Sequence, residues 1–454
     1  MKKAGSLIGI TLLLFIFSCS NQSGEPWIDL FNGEDLSGWI QRNGEAEYEV
    51  RDGMIVGKTV LNTPNSFLCT EENYGDFILE YEVKVDPRLN SGVQIRSESR
   101  SDFKNGRVHG YQVELDPSDR AWSAGIYDEA RRGWLYALDL NPSATSAFKP
   151  NEWNKFRVEC VGAHIKTFLN GVAVANLYDE MTPEGFIALQ VHQVKAEPEN
   201  EGIEVMWKNI RIITENIEQY ETESTAPLYS RLVNKLAPEE IEEGWKLLFD
   251  GKTSDGWRNA YRETFPEQGW VIEDGVLTVV PSGGAESQNG GDIVTMDEYA
   301  DFDLQLEFKI TEGANSGIKY FVTEQEEGNN RSAIGLEFQI LDDKNHPDAQ
   351  LGNHEGSRTL ASLYDLIKAS DSKRFYGVGV WNSARIVSDG KVVAHYLNAI
   401  KVLEYERGSD EFRKLVSESK YKVWENFGEA ESGHILLQEH GDQVSFRSIK
   451  IREL

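Results

Sequence analysis

The residues best suited to chemistry sit at alternate positions of three short stretches. In Gly110-Tyr111-Gln112-Val113-Glu114-Leu115-Asp116, alternation puts Gln112, Glu114 and Asp116 on one strand face. In Val93-Gln94-Ile95-Arg96 it pairs Gln94 with Arg96, and further on it pairs Gln190 with His192. Three such strands side by side give a polar floor of amide, carboxylate, guanidinium and imidazole groups. That is a floor for a hydroxylated ligand, and its carboxylate or imidazole can move a proton. Trp122, Tyr127 and Trp134 are placed to supply the apolar walls that sugar faces need, and Glu82 and Asn90 complete the set. The second half of the chain offers an equivalent floor: Glu307, Asn315, Lys319, Glu337, Gln339, Gln438 and His440.

Each candidate also has a plainer reading. Glu80, Glu82 and Lys84 suit the solvated face of an antiparallel sheet. The Gln-x-His pairs 190/192 and 438/440 also suit structural hydrogen bonds. Asn90-Ser91-Gly92 and Asn315-Ser316-Gly317 read first as turn or bulge chemistry, and Trp153-Asn154 and Trp381-Asn382 as core.

These residues recur because the chain is duplicated. Trp27-Ile28-Asp29-Leu30-Phe31-Asn32-Gly33 returns as Trp245-Lys246-Leu247-Leu248-Phe249-Asp250-Gly251, and both Asn-Ser-Gly and Trp-Asn follow in the same order. The spacing between copies grows from 218 residues at Trp39/Trp257 to 248 at His192/His440, mostly through an insertion, Glu404 to Val423, that reads as a short helix. Within each copy the dominant period is two, as in Phe77, Leu79, Tyr81 and Val83. Asp-Gly and Asn-Gly turn signals recur at Asp52, Asn170, Asp274 and Asp389. The expected architecture is all-β: one antiparallel sandwich or jelly roll over residues 26–215, another over 244–454, and an acidic joint at 216–243 whose Pro238-Glu239-Glu240 starts a helix. Face positions differ between copies: Gln94 against Lys319, Arg96 against Phe321, Gln112 against Glu337, Glu114 against Gln339. The two floors are therefore not equivalent.

Lys2 and Lys3 precede an apolar run, Leu7 to Phe17, and then Cys19. This reads as a lipoprotein signal over 1–19, lipidation at Cys19 and a tether over 20–25, which implies export and anchoring to the envelope. The 75 acidic against 46 basic residues, a formal charge of −29, repel phosphate backbones and exclude nucleic acid as a partner. Cys69 and Cys160 remain; export permits a disulfide, and two buried free thiols are the plainer reading. No His-Glu-x-x-His, Cys-x-x-Cys or EF-hand pattern is present, so no cofactor is evident, although dispersed His and carboxylates leave a divalent metal open.

The ordered set from Trp245 through Phe249-Asp250-Gly251, Glu273-Asp274-Gly275, Asn315-Ser316-Gly317 and Trp381-Asn382 to Leu437-Gln438-Glu439-His440-Gly441 resembles the DUF1080 family. That family is described as 3-keto-glucoside 1,2-lyase/3-keto-2-hydroxy-glucal hydratase, or 3-keto-disaccharide hydrolase. The resemblance covers both copies. It implies a concanavalin A-like jelly roll and cleavage of glycosides already oxidised at carbon 3. The chain has no Gly-rich nucleotide loop, so a separate sugar 3-oxidoreductase is expected to make the substrate. A ketone at carbon 3 acidifies the hydrogen on carbon 2, so the chemistry needs a base, donors for the enolate and an acid near the leaving oxygen. The candidates are His192 or Glu114 as base, with Arg96 and Asn90 as enolate donors; Lys319, Glu337 and His440 are their analogues in the second copy. Two alternatives stay open: a pair of non-catalytic sugar-binding modules, or an ordinary glycosidase using Glu82 and Glu114 at ~5 or ~6.5–9.5 Å separation.

Overall fold

The computed structural model describes residues 26–283, 287, 289–327 and 330–454. The signal segment, the tether and the Cys19 lipidation site lie outside the described residues.

Each copy is an all-β jelly-roll sandwich of two antiparallel sheets. In the first, a long sheet runs in the order Val172–Tyr178, His164–Leu169, Asn154–Val161, Phe77–Val85, Glu204–Ile213, Met54–Lys58, Glu47–Arg51. It packs on a second sheet ordered Gly133–Tyr136, Ile126–Glu129, His109–Leu115, Ser91–Glu98, Gly185–Val191, Ser66–Tyr74, Trp39–Arg42. Alternation decides the packing. Phe77, Leu79, Tyr81 and Val83 of one sheet meet Val93, Ile95, Tyr111 and Val113 of the other in one core, and each large side chain so buried contributes about 1.5–3 kcal/mol. Gln112, Glu114 and Gln190 therefore face outward on the second sheet. The second copy repeats the plan with an eight-stranded and a five-stranded sheet; Leu304, Leu306 and Phe308 pack on Ile318, Tyr320 and Phe338.

The long sheet runs into the insertion with Ile400–Glu406, and the insertion then forms the expected helix, Asp410–Glu418, capped by Ser409, whose hydroxyl accepts from the Phe412 amide at 3.1 Å. Phe412 turns its ring onto Tyr405, centroids 5.9 Å apart. A 3-10 turn, Lys420–Val423, follows.

The connector is part of the fold. Leu228–Ser230 adds a parallel strand to the edge strand Val172–Tyr178, and the short helix Pro238–Glu242 follows. Between the copies runs a buried chain of charges. Arg132 donates to Asp179 at 2.7 Å, Arg231 lies 3.6 Å from Asp179 and donates to Glu307 at 2.8 Å, and Arg447 donates to Glu307 at 2.7 Å. Trp134 and Ala137 of the first copy join the core of the second, and Ala399 of the second joins the core of the first.

Cys69 and Cys160 are free, in opposite sheets, and burial pushes both thiols up to about 12. Among the described residues no helix is long and apolar enough to cross a membrane.

Candidate active site

The Asn-Ser-Gly stretch builds one end of the first site. The Ser91 hydroxyl donates to the Gln190 carbonyl at 2.7 Å, locking Ser91–Glu98 to Gly185–Val191. A Cβ on Gly92 would stand 2.6 Å from Cγ of Gln112, so only glycine lets that amide lie across the strand. Asn90 then reaches the floor and donates to Glu114 at 2.7 Å, while Gln112 donates to the other carboxylate oxygen at 2.8 Å. Glu114 is 4% exposed. Burial pushes its carboxyl up to about 7, against the Asn90 and Gln112 bonds and the Arg120 charge that pull it down; Asp116 adds to the rise.

Around Glu114 opens a cavity of about 780 Å³ that also takes in Asn90, Gln112, Tyr127, Trp134, Gln190 and His192. Tyr127 and Trp134 meet edge-on at 5.3 Å, and Trp122 supports Trp134 from 4.7 Å without lining the cavity. The His192 Nδ1 sits 2.7 Å from the Gln193 carbonyl, an arrangement that puts the proton of the neutral ring on Nδ1 and leaves Nε2 as an acceptor.

Besides Trp122, five of the expected residues line neither cavity, three of them because they face elsewhere. Arg96 is fully buried and donates to the carbonyls of Gly75 and Gly162, both at 2.7 Å, and to Asp76 at 3.0 Å. A β-bulge breaks the alternation: Ile95 and Arg96 stand against Ile187 alone, with Arg96 at φ 44°, so its side chain leaves the polar face. Glu82 lies on the long sheet, 3.4 Å from Lys208 and 2.6 Å from the Asn209 amide. The carboxylate pair Glu82 and Glu114 is therefore not assembled. Glu307, in the same register, is the interdomain anchor described above. Gln94 and Gln339 are on the correct faces but lie beneath the floors; Gln94 donates to Gln112 at 2.5 Å and Gln339 to Asn315 at 3.3 Å.

Sequence reasoning missed Arg120, which stacks 4.9 Å from Trp122 and 5.0 Å from Trp134, is held by Asp116 at 2.6 Å and lies 3.6 Å from Glu114. It sits in a loop, where period-two alternation has no meaning. Asp116, noted only for its face, is the group that aims it. Arg374, from the other copy, also lines this cavity.

The second site is a cavity of about 250 Å³ that gathers Asn315, Lys319, Glu337, Gln438 and His440. Lys319 stands opposite Glu337 across the strand pair, and the Asn315 amide is 3.4 Å from Nε2 of His440. The end of the insertion adds Lys420 and Tyr421, and Trp424 directly follows it; sequence reasoning did not connect these with the site. Burial lowers the Lys420 ammonium from its usual range, Glu337 opposes that shift, and Lys319 adds to it. Among the described residues no group of three or more His, Cys, Asp or Glu side chains is arranged to hold a metal ion.

A β-sandwich carrying a buried carboxylate, amides and an arginine in an aromatic-edged cleft is the class of protein that handles hydroxylated ligands. The chain belongs to the 3-keto-α-glucoside-1,2-lyase-like family, whose domain model matches residues 26–213 and again 244–452. A 3-keto-disaccharide hydrolase of Bacteroides thetaiotaomicron is 37% identical over 234 residues, covering 47% of this chain and 79% of the relative. Two proposed glycosyl hydrolases of Parabacteroides distasonis have solved structures. One is 30% identical, covering 49% of this chain and 99% of its own, with a TM-score of 0.43; the other is 31% identical, covering 46% and 99%, with a TM-score of 0.35.

Proposed function

We propose that the protein cleaves glycosides oxidised at carbon 3, and that the first pocket does so with Glu114 as base. The supporting observation is Glu114 itself, a buried carboxylate at the cavity floor poised near pH 7, where a general base works best. Glu114 takes the hydrogen from carbon 2, acidified by the neighbouring ketone. The enolate oxygen is met by Arg120, which takes the role first given to Arg96, together with the free amide hydrogen of Asn90. The electron pair returns to form the carbon 1–carbon 2 double bond, the carbon 1–oxygen bond breaks, and the departing oxygen receives the proton from Glu114. Water then adds, its hydroxyl to carbon 1 and its proton to carbon 2, so the net change is hydrolysis. The substrate requires a prior oxidation at carbon 3 by a separate oxidoreductase. The basic start, apolar run and Cys19 support export and lipid anchoring; Cys19→Ser shifting the protein out of the membrane fraction is the check.

The test is a substrate panel, a parent glucoside against its 3-keto derivative. Turnover of the 3-keto compound alone is expected. Turnover of the parent would make the protein an ordinary glycosidase, and turnover of neither would leave a binding module.

A further inference from the structure

One wall of the first cavity comes from the other copy. Arg374 lines that cavity although its strand neighbours belong to the second sandwich. Its backbone is held on both sides. The Asn398 amide donates to the Arg374 carbonyl at 2.7 Å, and the Tyr376 amide donates to Asn382 at 2.9 Å. The Tyr376 hydroxyl donates to the Trp134 carbonyl at 2.9 Å, which pins the loop to the first copy beside the cavity. Gly133 makes that approach possible, since a Cβ there would stand 3.2 Å from the Tyr376 ring on a backbone at φ +75°. The guanidinium makes no hydrogen bond or ion pair among the described residues and is exposed to the cavity. Tyr127 and Glu114 line the same cavity.

The first copy shows what the loop alone requires. There Asn170 donates to the Ala147 carbonyl at 2.9 Å and Asn154 accepts from the Lys149 amide at 2.8 Å, the same pair of brackets around the same loop. Where the second copy has Arg374, the first has Ala147. The loop's geometry therefore does not demand a long side chain. In a chain with 75 acidic and 46 basic residues, an arginine held at a cavity mouth without a carboxylate partner has its five N–H donors available to a ligand.

We infer that Arg374 is a substrate-binding residue lent by the second copy to the first copy's site, where it donates to oxygen atoms of the sugar substrate. This rests on the reading that the first pocket turns over 3-keto-glycosides. The arrangement is one-way. Ala147 returns nothing to the second pocket, which is closed instead by the end of its own insertion, Lys420 and Tyr421, and by the adjoining Trp424. The duplicated chain is thus one functional unit, not two repeated ones.

The test uses the full chain and a 3-keto-disaccharide. Arg374→Ala should raise KM by about 10- to 100-fold, the loss expected for a charged hydrogen bond, and leave kcat within about threefold and the pH profile in place. Arg374→Lys should recover part of that loss. Tyr376→Phe, which loosens the loop and leaves the charge, separates loop position from guanidinium chemistry. An Arg374→Ala enzyme with wild-type KM overturns the inference, as does an Arg374→Lys enzyme whose KM is no better than that of Arg374→Ala. Wild-type protein that fails to turn over the 3-keto compound overturns the functional reading instead, and the inference with it.

Discussion

Asn90 donates to the Glu114 carboxylate at 2.7 Å, and Asn90 also leads directly into the strand Ser91–Glu98, whose serine locks two strands together. The proton affinity of Glu114 is therefore tied to the backbone that forms the floor. Burial alone would carry the carboxyl above 7; the Asn90 and Gln112 bonds bring it back to where it is ionised for part of the population at neutral pH.

If Glu114 is the base, only its ionised form works. The kcat/KM for a 3-keto-glycoside should rise with pH and level off above an apparent pKa near 7. Glu114→Gln should lower turnover by about 10²- to 10⁴-fold and remove that limb. A variant within tenfold of wild type would return the role to His192, whose Nε2 is free to accept.

Replacing Asn90 with alanine removes a bond that stabilises the charged carboxylate. The Glu114 carboxyl should rise further, so the limb of the pH–rate profile should move to higher pH, with the loss greatest below neutrality. Rates measured from pH 5.5 to 9 decide this. A shift toward acid, or a uniform loss at every pH, would contradict the electrostatic role.

Proton abstraction leaves an isotopic trace. Turnover in heavy water should place deuterium on carbon 2 of the released keto-sugar, since hydration of the unsaturated intermediate returns a solvent-derived proton there. Mass spectrometry against an enzyme-free control over the same time removes background exchange beside the ketone. Carbon 2 left protiated at the rate of the control would mean direct hydrolysis.

Arg231 bridges the copies through Glu307. Arg231→Met should destabilise the protein by about 3 kcal/mol, the low end for breaking a buried pair, because Glu307 keeps Arg447 as a partner. Urea unfolding followed by tryptophan fluorescence measures it. A change below about 1 kcal/mol would mean that apolar packing around Trp134 and Ala399 carries the interface.

Much of the site is written in local patterns. Period-two alternation is a property of the extended backbone, so it was enough to put Gln112, Glu114, Gln190 and the core residues Tyr111 and Val113 on their proper faces. The duplication, the capped helix in the insertion and the turn asparagines are local in the same sense. Alternation fails wherever the count is interrupted. One extra residue at the bulge sends Arg96 through the sheet to Gly75 and Gly162, and the same left-handed position in the second copy holds Phe321 at φ 52°. Glu82 and Glu307 occupy one register, and only the docking of the two sandwiches makes the first a surface residue and the second a buried anchor. Arg120 and Arg374 come from loops, one folded back over two tryptophans and the other brought from the neighbouring sandwich. Their places depend on contacts between segments far apart in the chain, which no periodicity within a segment encodes.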